Sequence, residues 1–76
     1  MQVDILTPDQ SLYSGEATIV TVPGINGSFQ IKNNHAPIIS ALGIGKIVVD
    51  GAEGKKEFAV NGGIVEVLKN KIVILA

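Results

Sequence analysis

Twenty-three of the 76 residues are Val, Ile or Thr, and nine glycines with three prolines cut them into short runs. A side chain branched at Cβ loses rotamer freedom on a helix and packs well on a pleated surface. Glycine and proline at such close intervals interrupt any window long enough for a stable helix and suit strands bounded by turns. The chain therefore reads as all-β. Strands are expected over 2–7, 16–22, 28–32, 38–42, 46–50, 55–60, 63–68 and 71–75, and eight such strands in one small domain make an antiparallel β-sandwich.

The turns carry their own chemistry. Gly51-Ala52-Glu53-Gly54 closes a hairpin between 46–50 and 55–60, and Asn61-Gly62-Gly63 supplies positive φ angles to reverse the chain again, which gives three successive antiparallel strands. Pro23-Gly24-Ile25-Asn26-Gly27 reads as a loop with flexible residues around one apolar one. In the last thirteen residues Ile64, Val67, Leu68, Ile72 and Leu75 also fit one face of a helix, so periodicity alone does not decide there. The β-branched density, and Asn70 between Lys69 and Lys71, favour strand, turn, strand.

A chain of 76 residues has room for one domain, 1–76. A domain this size buries only about 60% of its unfolded surface. With no cysteine to staple it, this one is expected to work docked on a partner. Six lysines, no arginine and seven carboxylates spread singly leave no basic stripe, so nucleic acid is not an expected ligand. The absence of cysteine excludes a disulfide framework and a thiol nucleophile, and fits a reducing compartment. The start Met-Gln-Val-Asp-Ile lacks the basic and apolar regions of a signal peptide, and no run approaches the roughly 20 apolar residues that span a bilayer. The expected setting is cytosolic, or peripheral to a membrane without direct insertion.

Chemistry-bearing motifs are absent. His35, the only histidine, has no nucleophile elbow for a triad and no second His or Cys for a metal site, so it reads as a loop histidine bonding locally beside Asn33 and Asn34. Gly43-Ile44-Gly45-Lys46 glances at a phosphate loop, but Ser40 stands where its first glycine belongs and Ile47 where Ser or Thr belongs. It reads as a turn leading into a strand. Asn26-Gly27-Ser28 matches a glycosylation acceptor, which carries no weight without a secretory signal. Glu53, Glu57 and Glu66 sit near turns or alternate with apolar neighbours, as solvated positions do. The residues alone describe a small non-catalytic β domain, with no catalytic, cofactor-binding or metal-binding residues expected.

Six segments in register go further: Val3-Asp4-Ile5-Leu6-Thr7-Pro8, Leu12-Tyr13-Ser14-Gly15-Glu16, Pro23-Gly24 to Gly27 with Phe29 and Ile31, Asn34-His35-Ala36-Pro37, Phe58-Ala59-Val60-Asn61-Gly62-Gly63-Ile64-Val65-Glu66-Val67, and Ile72-Val73-Ile74-Leu75-Ala76. Together they resemble the N-terminal β-sandwich of the epsilon subunit family of the F-type, proton-translocating ATP synthase. The chain departs from the family at Gln30 and Lys32, which replace a Gly and a Leu-Pro or Tyr-Pro step, and at Asn61, which replaces a Ser.

The resemblance implies a ten-stranded sandwich in the central stalk of the rotor. Such a subunit couples the gamma subunit to the c-subunit ring in proton-driven ATP synthesis, peripheral on the cytoplasmic face of the energy-coupling membrane and without a cofactor. It further implies that the loops 24–28 and 33–37 form one edge facing the c ring, with Ser28 and His35 as its most exposed members. The gamma-facing residues are not fixed by it. The family's C-terminal helical hairpin is missing, the sequence stopping at Ala76 where the sandwich normally ends, as a short member or a fragment would. The rival reading is a free-standing β module that binds through an edge strand or a loop face. Three aromatics, Tyr13, Phe29 and Phe58, are too few for a sugar or base-stacking platform.

Overall fold

A computed structural model describes residues 1–76 and places nine strands along the chain: β1 (Gln2–Leu6), β2 (Ser11–Glu16), β3 (Ile19–Gly24), β4 (Gly27–Lys32), β5 (Ile38–Leu42), β6 (Gly45–Gly51), β7 (Gly54–Val60), β8 (Gly63–Leu68) and β9 (Lys71–Leu75). Hydrogen bonding follows the path β2-β1-β9-β8-β5-β3-β6-β7, with β4 on the other side of β3. β5 meets β3 through the single pair Gly24–Leu42, so the path folds there into a five-stranded half, β2-β1-β9-β8-β5, and a four-stranded half, β4-β3-β6-β7. Every pairing is antiparallel except β1 with β9. This is a β-sandwich, as the residue pattern predicts.

Alternation along each strand builds the core between the halves. Val3 and Ile5 of β1, Val20 and Val22 of β3, Ile47 and Val49 of β6, Val65 and Val67 of β8, and Ile72 and Ile74 of β9 all point inward and are buried. Ile31, Leu42 and Val60 complete the aliphatic set, which contains no buried polar side chain. Each fully buried Val or Ile contributes roughly 1.5–3 kcal/mol, which is how so small a chain reaches net stability without a disulfide. At the side where the path ends, β2 and β7 share no backbone pairing. Tyr13 of β2 and Phe58 of β7 close that side with ring centroids 5.9 Å apart in an edge-to-face contact.

Three expectations are corrected. The strand expected at 16–22 is β3 and begins only at Ile19, while Glu16 ends β2, a strand otherwise outside the expected segments; between them Ala17 is buried and its N–H donates to the Met1 carbonyl while Thr18 bonds Asp50, carrying the chain from one half to the other. The count of nine strands falls between the eight or so read from the residues and the ten implied by the resemblance. β7 and β8 are not neighbours: β8 pairs with β5 and β9, so Asn61-Gly62-Gly63 is a crossing between halves rather than a hairpin turn. Its positive φ angles fall on Gly62 (140°) and Gly63 (136°) and not on Asn61. Lastly, Pro23, Gly24 and Gly27 belong to β3 and β4, leaving only Ile25 and Asn26 as the turn.

The remaining turn readings hold. Gly51 and Gly54 pair across the β6–β7 hairpin. The last thirteen residues form strand, turn, strand, and the turn is Lys69-Asn70 with φ of 51° and 59°.

Candidate docking surfaces

The outer face of the five-stranded half carries side chains that alternation turns away from the core. Cross-strand register sorts them into rows. Ala41, Ile64, Leu75 and Leu6 lie side by side across β5, β8, β9 and β1. Ile39, Glu66, Val73 and Asp4 form the next row, and Leu68, Lys71 and Gln2 the third. Ile39 is 68% exposed, Leu75 51%, Leu68 50% and Ile64 41%, so large aliphatic side chains face solvent along β5, β8 and β9. Between them lies a depression of about 360 Å³ lined by Pro37, Ile38, Ile39, Glu66, Val67 and Leu68.

The β1–β2 side of the same face is polar. Ser14 Oγ donates to Asp4 Oδ1 at 2.7 Å, Gln2 Nε2 lies 3.4 Å from both, and Lys71 Nζ stands 4.0 Å from the Asp4 carboxylate. An apolar centre with a polar margin is the anatomy of a protein–protein interface rather than of free surface.

Residue-by-residue reading missed this face, although the sequence holds a signal for it. Ile72-Val73-Ile74-Leu75 and Ile38-Ile39 are apolar at consecutive positions, which a strand solvated on one side has no use for.

Ser28 and His35 do not share one end of the fold. Ser28 pairs with Pro23 beside the Ile25-Asn26 turn, whereas His35 follows Lys32 at the far end of β4, where Asn34 N–H donates to Asn70 Oδ1 at 2.8 Å. The four residue steps from Ser28 to Lys32 span roughly 13 Å of extended chain. Ser28 is exposed but His35 is only half-buried, its Nδ1 held 2.7 Å from the Ala36 carbonyl. A carbonyl only accepts, so Nδ1 carries the proton, and the local hydrogen bond read from the sequence is present. What joins the two positions is β4, an edge strand paired only with β3, whose exposed Ser28, Gln30 and Lys32 form a polar strip.

Glu57 is exposed and meets Lys46 at 3.4 Å, Glu53 lies in the exposed hairpin turn, and Glu66 is exposed on the outer face, so the three do not converge. Gly45 opens β6 and packs against Pro23, as expected of a turn leading into a strand. A cleft of about 320 Å³ between β2 and the β6–β7 hairpin has Glu16, Glu53 and Lys56 at its walls, with Lys56 Nζ 5.7 Å from the Tyr13 ring centroid.

The family model for the β-sandwich domain of the ATP synthase delta/epsilon chain matches residues 1–76. The chain belongs to that family. The ATP synthase epsilon chain of Salinibacter ruber is 41% identical over all of this chain, and that of Leptospira borgpetersenii 40% identical over 99% of it. The chain spans 57% and 59% of the length of these two relatives. The Chlorobium limicola epsilon chain, 40% identical, is matched over 85% of its length and 97% of this chain. Among solved structures, the Tetrahymena thermophila mitochondrial ATP synthase central stalk and c ring superposes with a TM-score of 0.81 at 20% identity, covering 97% of this chain and 60% of its counterpart. The Euglena gracilis mitochondrial ATP synthase gives 0.89 at 17% identity, over 97% and 48%. At those identities the likeness is one of fold.

The crossing between halves accounts for the second glycine of the pair, Gly63. A Cβ on Gly63 would run into the Leu75 carbonyl oxygen, and φ of 136° is open only to glycine, so the crossing between halves fixes this residue. The three departures from the family pattern all lie at exposed positions: Gln30 and Lys32 on the strip of β4, and Asn61 beside the crossing.

Proposed function

We propose that this chain is a non-catalytic rotor subunit of an F-type ATP synthase, standing in the central stalk between the gamma subunit and the ring of c subunits and coupling the two in proton-driven synthesis. The observation that carries this reading is the exposed aliphatic surface of Ile39, Ile64, Leu68 and Leu75 on a family member whose core already lies on the other side of the same strands. The gamma subunit covers that surface. The strip of β4, from Ser28 through Gln30 and Lys32 to His35, meets the polar loops of the c ring. No helix is long and apolar enough to cross a membrane, which agrees with a peripheral position on the cytoplasmic face. The work is mechanical: a rigid aliphatic core transmits torque, and no cofactor takes part.

The test is reconstitution. Membranes stripped of their epsilon subunit regain proton-driven ATP synthesis when this chain is added and lose the gain when Ile39 and Leu68 are both replaced by Asp. Synthesis that stays uncoupled in the presence of the folded wild-type chain contradicts the proposal.

A further inference from the structure

We infer that Asn26-Gly27 is a site of spontaneous covalent modification, at which the asparagine converts to aspartate and isoaspartate and the molecule gains a negative charge next to Ser28. The reaction needs a backbone nitrogen free to swing onto the side-chain amide of the preceding residue. The Gly27 nitrogen attacks Cγ of Asn26, the amide leaves as ammonia, and a five-membered succinimide closes. Water then opens the ring at either carbonyl, leaving a carboxylate on an aspartate or on an isoaspartate whose main chain runs through the former side chain. The balance is one water consumed and one ammonia released, and water is the only co-reactant.

Three observations favour this asparagine over the other four in the chain. First, only Asn26 and Asn61 precede a glycine, whose missing Cβ leaves the attack unobstructed. Second, Asn26 and Gly27 are both exposed at the tip of the β3–β4 hairpin, and a Cβ built on Gly27 would meet nothing within 4 Å, so the space beside the Gly27 Cα is open even though Gly27 closes the ladder with Gly24. Hairpin tips of this kind open at low cost. Third, the competing positions are held. Asn33 Oδ1 accepts from the Met1 nitrogen at 2.8 Å, Asn70 Oδ1 accepts from Asn34 N–H at 2.8 Å, and the Asn61-Gly62-Gly63 crossing is pinned by the Leu42 and Leu75 carbonyls packed against its two glycines.

The consequence is local. β4 begins at Gly27, so an isoaspartate lengthens the main chain where the strand starts, and either product places a carboxylate two residues before Ser28. The modification itself stands apart from the docking reading.

Trypsin separates the candidates cleanly, because peptide 1–32 contains Asn26 as its only asparagine and peptide 57–69 contains Asn61 as its only one. The whole domain is incubated at mildly alkaline pH and 37 °C, digested and weighed, and isoaspartate is scored by enzymatic methyl transfer. The expected result is a mass gain of one NH2-to-OH exchange in peptide 1–32, with methyl-accepting product, severalfold faster than in peptide 57–69. Asn26→Gln, which keeps the glycine and the turn, abolishes both signals. Gly27→Ala slows them severalfold if it folds, and the Gln variant carries the test if it does not. An unchanged peptide 1–32, equal conversion of Asn61, or a signal that survives Asn26→Gln would overturn the assignment.

Discussion

Three residues show how local backbone chemistry is fixed by the fold. Asn70 holds φ of 59° in the β8–β9 turn and its Oδ1 receives the Asn34 N–H. Asn70→Ala loses both the tolerance of the left-handed region and the hydrogen bond, about 1 kcal/mol each, while Asn70→Gly loses only the second. The unfolding free energy obtained from urea titration should therefore fall by about 2 kcal/mol for Ala and about 1 kcal/mol for Gly. Gly63 and Gly54 make a sharper pair, since both have positive φ but only Gly63 has a carbonyl oxygen where a Cβ would stand. Gly54→Ala is expected to cost about 1 kcal/mol, and Gly63→Ala upwards of about 3 kcal/mol, a large share of the total stability of a small domain. Thermal unfolding followed by circular dichroism separates the two cases.

At the scale of strands, the hairpins β6–β7 and β8–β9 were legible because Gly51, Gly54 and Asn70 name their turns directly. The division of 16–22 was not, since Ala17 and Thr18 are turned aside by contacts with Met1 and Asp50 that no local pattern reports. Nor was the destination of β8: a double glycine announces positive φ, but only the packing of both halves decides whether the chain turns back or crosses over. The exposed aliphatic face proposed for docking was half legible, written in the consecutive apolar residues 72–75 but hidden by reading each strand for one buried side. Leu68→Asp, at a half-exposed position, should change stability by about 0.5–1 kcal/mol and weaken partner docking by 2 kcal/mol or more, by the measure of central interface positions. Just beyond β4, His35→Ala should cost no more than about 1 kcal/mol of ring docking, because the contact proposed there is polar and wet. Charge placed at both Ser28 and His35, as Lys in one variant and Glu in another, brackets Lys32 from either end. One sign should weaken docking by about 1–3 kcal/mol with a clear salt dependence, and the other should do little. Binding isotherms at two ionic strengths check this.

For the whole molecule, the proposed role is that of a rigid adaptor. The one phosphate-loop lookalike is spent on the turn before β6, so titration calorimetry with ATP is expected to give no heat of binding in the micromolar range. The central claim is that the aliphatic outer face of the five-stranded half is an interface for the gamma subunit. The most direct measurement is the affinity of this chain for isolated gamma subunit, compared with that of the Ile39→Asp, Leu68→Asp double variant shown by circular dichroism to be folded. The expected result is a stable complex for the wild-type chain and a loss of at least a hundredfold in affinity for the variant, the equivalent of about 2.7 kcal/mol. Equal affinity for the two folded proteins would contradict it.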